Sequence, residues 1–75
     1  MSEERIGDKF LRKLYEKTAY NGTVNIDRVE IGKEIGIIEG QIDNLIDELA
    51  SEGYIKKVGR TNIYLTDDGR KRVEI

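Results

Sequence analysis

The sequence contains no cysteine, histidine, proline or tryptophan. Without cysteine there are no disulfides and no thiolate metal sites. Without histidine the usual zinc sites, the Ser-His-Asp triad and an imidazole proton shuttle are excluded as well. Only carboxylates, lysine, hydroxyls and tyrosine remain for catalysis, on a chain too short to wrap the ~300 Å³ pocket of a small-molecule enzyme. No run approaches the ~20 consecutive apolar residues of a membrane helix. The start, Met1-Ser2-Glu3-Glu4, is acidic where a signal peptide is basic and then apolar. These absences predict a cytoplasmic chain that is not an enzyme, takes no cofactor, metal or small-molecule substrate, and does not engage a membrane.

What is present is charge and isoleucine. Of the 75 residues, 37% are charged, and eleven are Ile. Residues 1–75 read as one domain, of a size that hides only roughly 60% of its unfolded surface and sits near the limit for a single unaided core.

Periodicity organises that core. Ile6, Gly7, Phe10, Leu11, Leu14 and Thr18 share one face at 100° per residue, which predicts a first helix over about residues 3 to 19, with Ser2 as its N-cap and Asn21-Gly22 as its stop. Gly7 on that face would admit a close neighbour. Thr23-Val24-Asn25-Ile26 alternates as a very short strand does. Asp27 with Glu30 three residues on resembles a capping box, so a second helix is expected at about 28 to 35, stopped by Gly36. Ile42, Leu45, Ile46 and Leu49 then follow the i, i+3, i+4, i+7 pattern of a third helix over about 39 to 52, closed by Gly53. Beyond Gly53 the period drops to 2. Residues 54–58 and 62–65 form a hairpin around Gly59-Arg60-Thr61, and Thr66 caps a short last helix.

Two stretches carry a resemblance. Residues 31 to 42, with small Gly32 where two helices would cross and Gly36 at their turn, look like a helix-turn-helix. The continuation Leu49-Ala50-Ser51-Glu52-Gly53-Tyr54-Ile55, then the hairpin, then Leu65-Thr66-Asp67-Asp68-Gly69-Arg70, resembles winged-helix regulators of the MarR and PadR types over about residues 24 to 73. The resemblance implies an α+β winged helix-turn-helix: a three-helix core, a C-terminal β-hairpin wing and a short last helix. It also implies double-stranded DNA as the partner and transcription regulation as the role. The chain departs from that family at the cap of the third helix, where Ser or Thr is usual and Ile38 stands instead.

The charges complicate the implied function. Residues 36–55 hold five acids and no base, whereas Lys56, Lys57, Arg60, Arg70, Lys71 and Arg72 make the wing and last helix basic. The expected DNA contacts are therefore Gln41 and Asn44 as polar base readers, with Lys56, Lys57, Arg60 and Tyr64 as a basic and aromatic wing rim. Asp43 and Asp47 on the outward face of the third helix would repel phosphate, by close to ~1 kcal/mol each at about 5 Å even in bulk water. The competing expectation is a winged-helix module that docks a protein partner on the acidic third helix, without DNA. Tyr15 on the first helix and Val73 and Ile75 at the C-terminus point to a homodimer built from the first and last helices.

Overall fold

The computed structural model describes residues 5–21 and 25–74. α1 spans Ile6–Asn21, β1 Ile26–Asp27, α2 Arg28–Ile35, α3 Glu39–Ser51, β2 Ile55–Val58, β3 Asn62–Leu65 and α4 Asp67–Glu74. This is the order that the periodicity predicts. Ser2, Gly22, Thr23, Val24 and Ile75, which figured in those expectations, lie outside the described residues.

Phe10, Leu11 and Leu14 of α1 are fully buried against Ile31 of α2, Ile42, Ile46 and Leu49 of α3, and Ile55 and Ile63 of the hairpin. Each such side chain contributes ~1.5–3 kcal/mol of transfer free energy. Ile6 is the exception on the α1 face, 44% exposed at the first turn. With Gly7, Leu45 and Leu49 it borders an open groove of about 340 Å³ that Tyr54 and Arg72 also line.

Glycines set the two sharpest turns. Gly36 has φ +82°, its N–H donates to the Lys33 carbonyl, and the Ile37 N–H reaches back to Gly32. Gly53 has φ +83°, and the bonds Gly53 N–H to Ala50 and Tyr54 N–H to Leu49 repeat that arrangement at the end of α3. Both are Schellman motifs, which satisfy helix-end carbonyls at a residue tolerant of positive φ. Gly32 serves differently. A Cβ built there would lie 2.2 Å from Ile42 Cδ1 and 2.6 Å from Ile42 Cγ1, so α2 and α3 meet where only glycine fits.

The predicted capping box at α2 is half made. Asp27 accepts from the Val29 N–H at 2.8 Å, while Glu30 turns to the Lys17 ammonium on α1 instead. Thr66 does cap α4: its hydroxyl accepts from the Gly69 N–H at 3.0 Å and donates to the Gly53 carbonyl at 2.6 Å, which ties the exit of α3 to the start of α4.

The sheet is antiparallel with order β1-β3-β2. Ile63 stands opposite Ile26 on one side and Lys57 on the other, and Lys56 pairs with Tyr64. α4 returns along α1, where Tyr15 Oη donates to Glu74 at 3.1 Å and Arg72 Nε to Asp8 at 2.9 Å. Val73, invoked above for a dimer, packs against the chain's own core, and Tyr15 is bonded within the chain. The whole is a mixed α+β fold of four helices and a three-stranded sheet, a layout compatible with a winged helix. Among the described residues no helix is long and apolar enough to cross a membrane.

Candidate nucleic-acid interface

α3 buries Ile42, Leu45, Ile46 and Leu49, so its helical period turns Gly40, Asn44, Asp47 and Ser51 outward. All four are exposed. Three of these positions are uncharged and small, which leaves the outermost line of the helix open to close approach.

The acids beside that line are not bare. Asp43 receives Arg28 Nη2 at 2.9 Å, and Asp47 receives the Lys57 ammonium. Arg28 is held at the first turn of α2 by its own N–H, which donates to the Thr61 carbonyl in the hairpin turn. The two pairs thus join α3 to α2 on one side and to the wing on the other. Each is exposed enough that its net stabilisation is within ~1 kcal/mol. Their effect is to offset the charge of Asp43 and Asp47, whereas the other exposed acids of α3 keep theirs. Glu39, Glu48 and Glu52 make no ion pair among the described residues.

The remaining expected site residues divide by role. Asn44 is exposed and makes no hydrogen bond among the described residues. Gln41 is partly engaged: its Oε1 accepts from the Ile38 N–H at 3.2 Å, while the first-turn N–H groups that a Ser or Thr cap would bond receive nothing from the Ile38 side chain. Only its amide NH₂ is left to donate outward. Lys56 is exposed beside half-buried Tyr64 across the β2–β3 ladder, and Arg60 is exposed in the hairpin turn. Lys57 projects from the opposite side of β2 and is occupied by Asp47. The expected site residues thus divide between the exposed line of α3, to which Lys57 is tied through Asp47, and the other side of the β2–β3 ladder, where Lys56 and Tyr64 pair.

Arg28 is the residue that reading the sequence missed. Fifteen positions separate it from Asp43, and no local pattern links them. A second basic feature lies elsewhere: Lys9 and Arg12 face outward from α1, Arg5 stands just before it at the rim of the groove by Leu45 and Leu49, and all three are exposed.

The perturbed titrations belong to the α1 side as well. The Tyr15 phenol is pushed up by its hydrogen bond to Glu74 and by the charge of that carboxylate. The Lys17 ammonium is pushed up by its hydrogen bond to Glu34, with Glu30 adding to it against partial desolvation. Arg72, raised first by its bond to Asp8, also lies 5.3 Å above the Tyr54 ring. These groups fasten α1 to α2 and α4 and take no part in the α3 surface. Among the described residues, no group of three or more carboxylates could hold a metal ion.

No protein-family model, curated protein or solved structure matches the chain.

Proposed function

We propose that the chain is a small winged-helix DNA-binding protein, a transcriptional regulator that sets α3 against the major groove and rests its wing on the phosphate backbone. The observation that carries this reading is the double neutralisation at Asp43 and Asp47 by Arg28 and Lys57. It lessens the repulsion that argues against a helix of this composition entering a groove, although Glu39 and Glu48 keep their charge. Asn44, at the centre of the outward line, has the donor and acceptor pair that matches the N6 and N7 edge of adenine. The Gln41 amide, with its oxygen held by the Ile38 N–H, is left as a donor for purine N7 or guanine O6. Lys56 and Arg60 supply phosphate contacts, with Tyr64 paired opposite Lys56 on β3.

Few phosphate contacts mean modest affinity with a shallow salt dependence. Binding to random-sequence duplex DNA, titrated with salt, tests this. Replacing Lys56 and Arg60 by Ala should weaken binding to all sequences alike and reduce the slope of log K against log salt by about 0.9 per lost contact. Asn44→Ala should change sequence preference and leave the slope alone. Replacing Asp47 by Asn should free the Lys57 ammonium and steepen the slope by about 0.9, a gain of one phosphate contact. A chain that binds no duplex at low salt, and whose Asp43 and Asp47 variants bind none either, would remove the reading.

A further inference from the structure

Ile38 occupies the N-cap of α3, with extended backbone at φ −84° and ψ 160°. An oxygen-bearing side chain there would accept from one of the orphan N–H groups of the first turn, and isoleucine has none to offer. The protein partly compensates through Gln41, which bonds the Ile38 N–H rather than the helix's own first donors. Burial does not repay the exchange either. Ile38 is 70% exposed, more than any other large apolar residue described, whereas its neighbour Ile37 packs against the core. The position therefore carries an apolar side chain that helps neither the helix nor the core.

What it can help is recognition at that end of α3. In a helix-turn-helix the N-terminal residues of the second helix are the ones that meet base edges. Resting on the DNA-binding reading above, we propose that Ile38 reads the 5-methyl group of thymine in the major groove. Thymine alone among the bases presents a methyl group there, and an apolar side chain is the partner that distinguishes it. A β-branched residue suits the task, because its stiff χ1 holds the contact at little entropic cost. Gly40, one turn-fraction away, has no side chain, and the space around its Cα is open. Asp43, between Ile38 and Asn44 in the sequence, is paired with Arg28, while Glu39 beside Ile38 is exposed.

The test uses the best-bound duplex recovered from a random-sequence pool, and the same duplex with uracil in place of thymine. Wild-type protein should bind the uracil duplex about fourfold more weakly, the effect of withholding one buried methyl group. Ile38→Ser should bind both duplexes equally, and Ile38→Val should keep most of the discrimination. Because Ser can cap α3, that variant should also melt at a higher temperature than wild type, so lost discrimination would not reflect unfolding. If the wild type binds the recovered duplex but does not distinguish thymine from uracil, or if Ile38→Ser distinguishes them as well as the wild type, the assignment of Ile38 is overturned while DNA binding stands. If the pool yields no bound duplex, both readings fall together, and an apolar pocket on a protein partner becomes the occupant to seek.

Discussion

Gly32 and Gly7 are both helical glycines facing α3, and the same substitution at each should move stability in opposite directions. At Gly32 an added Cβ would meet Ile42 Cδ1 at 2.2 Å and Cγ1 at 2.6 Å, with Ile37 Cγ1 at 3.4 Å. Ile42 is 1% exposed, so its side chain must shift within the packed core to make room. Overpacking of this kind costs roughly 1–3 kcal/mol. Replacing glycine by alanine in a helix recovers up to ~1 kcal/mol of backbone entropy, which leaves a net loss of about 1 kcal/mol or more. At Gly7 the nearest atoms to a Cβ are Leu49 Cδ2 at 3.5 Å and Leu45 Cδ1 at 3.7 Å, ordinary contact distances. There the entropy gain is unopposed, and Gly7→Ala should stabilise by about 0.5 kcal/mol, somewhat less than a mid-helix site. Urea denaturation of both variants measures the difference directly. A Gly32→Ala variant as stable as Gly7→Ala would refute the close crossing of α2 and α3, and with it the placement of α3 on which the proposed interface depends.

Gly69→Ala should be more damaging still, by roughly 2–3 kcal/mol in the same assay. Its Cβ would lie 2.1 Å from the Tyr54 carbonyl oxygen, backbone that is fixed by the Thr66 N–H at 3.0 Å. Alkaline pH should loosen the α1 contacts. The raised Tyr15 and Lys17 groups contribute fully below their ordinary values of 10.0 and 10.5, and that contribution is lost as pH climbs through the higher folded values. Melting temperature should therefore fall above about pH 10 and fall less steeply in a Tyr15→Phe, Lys17→Met variant; an unchanged alkaline limb would count against both contacts.

The helices, the hairpin and the two positive-φ glycines that end α2 and α3 were legible because each is written locally. Ile42, Leu45, Ile46 and Leu49 declare their face through spacing alone, Gly36 follows directly on Ile35, and Gly53 comes one turn after Leu49. Longer-range pairings were not legible. Among the described residues β1 extends past the expected end at Ile26 to Asp27, because Asn62 of β3 stands opposite it. Glu30 satisfies its charge on Lys17 of a different helix, so the box pattern in the sequence could not reveal its partner.

The site shows the same division. Charge summed by segment made α3 uniformly acidic and the wing basic, which hid the fact that folding sets Asp43 beside Arg28 and Asp47 beside Lys57. The spacing presents the Gln41 amide as a free base reader, yet its oxygen accepts from the Ile38 N–H. That departure from the expected Ser or Thr was visible in the sequence. Whether Ile38 was buried or exposed was not, since the core is already closed by Ile37 and Ile42 beneath it.

The central claim is that α3 and the wing, rather than the basic outer face of α1, meet DNA. Backbone amide shifts of the isotopically labelled protein, followed by NMR while short duplex DNA is added at low salt, test it most directly. The account predicts that the largest changes fall in residues 38–51 and 56–64, with those of Arg5, Lys9 and Arg12 nearly still. Changes concentrated on the outer face of α1, or none anywhere in the chain, would contradict it.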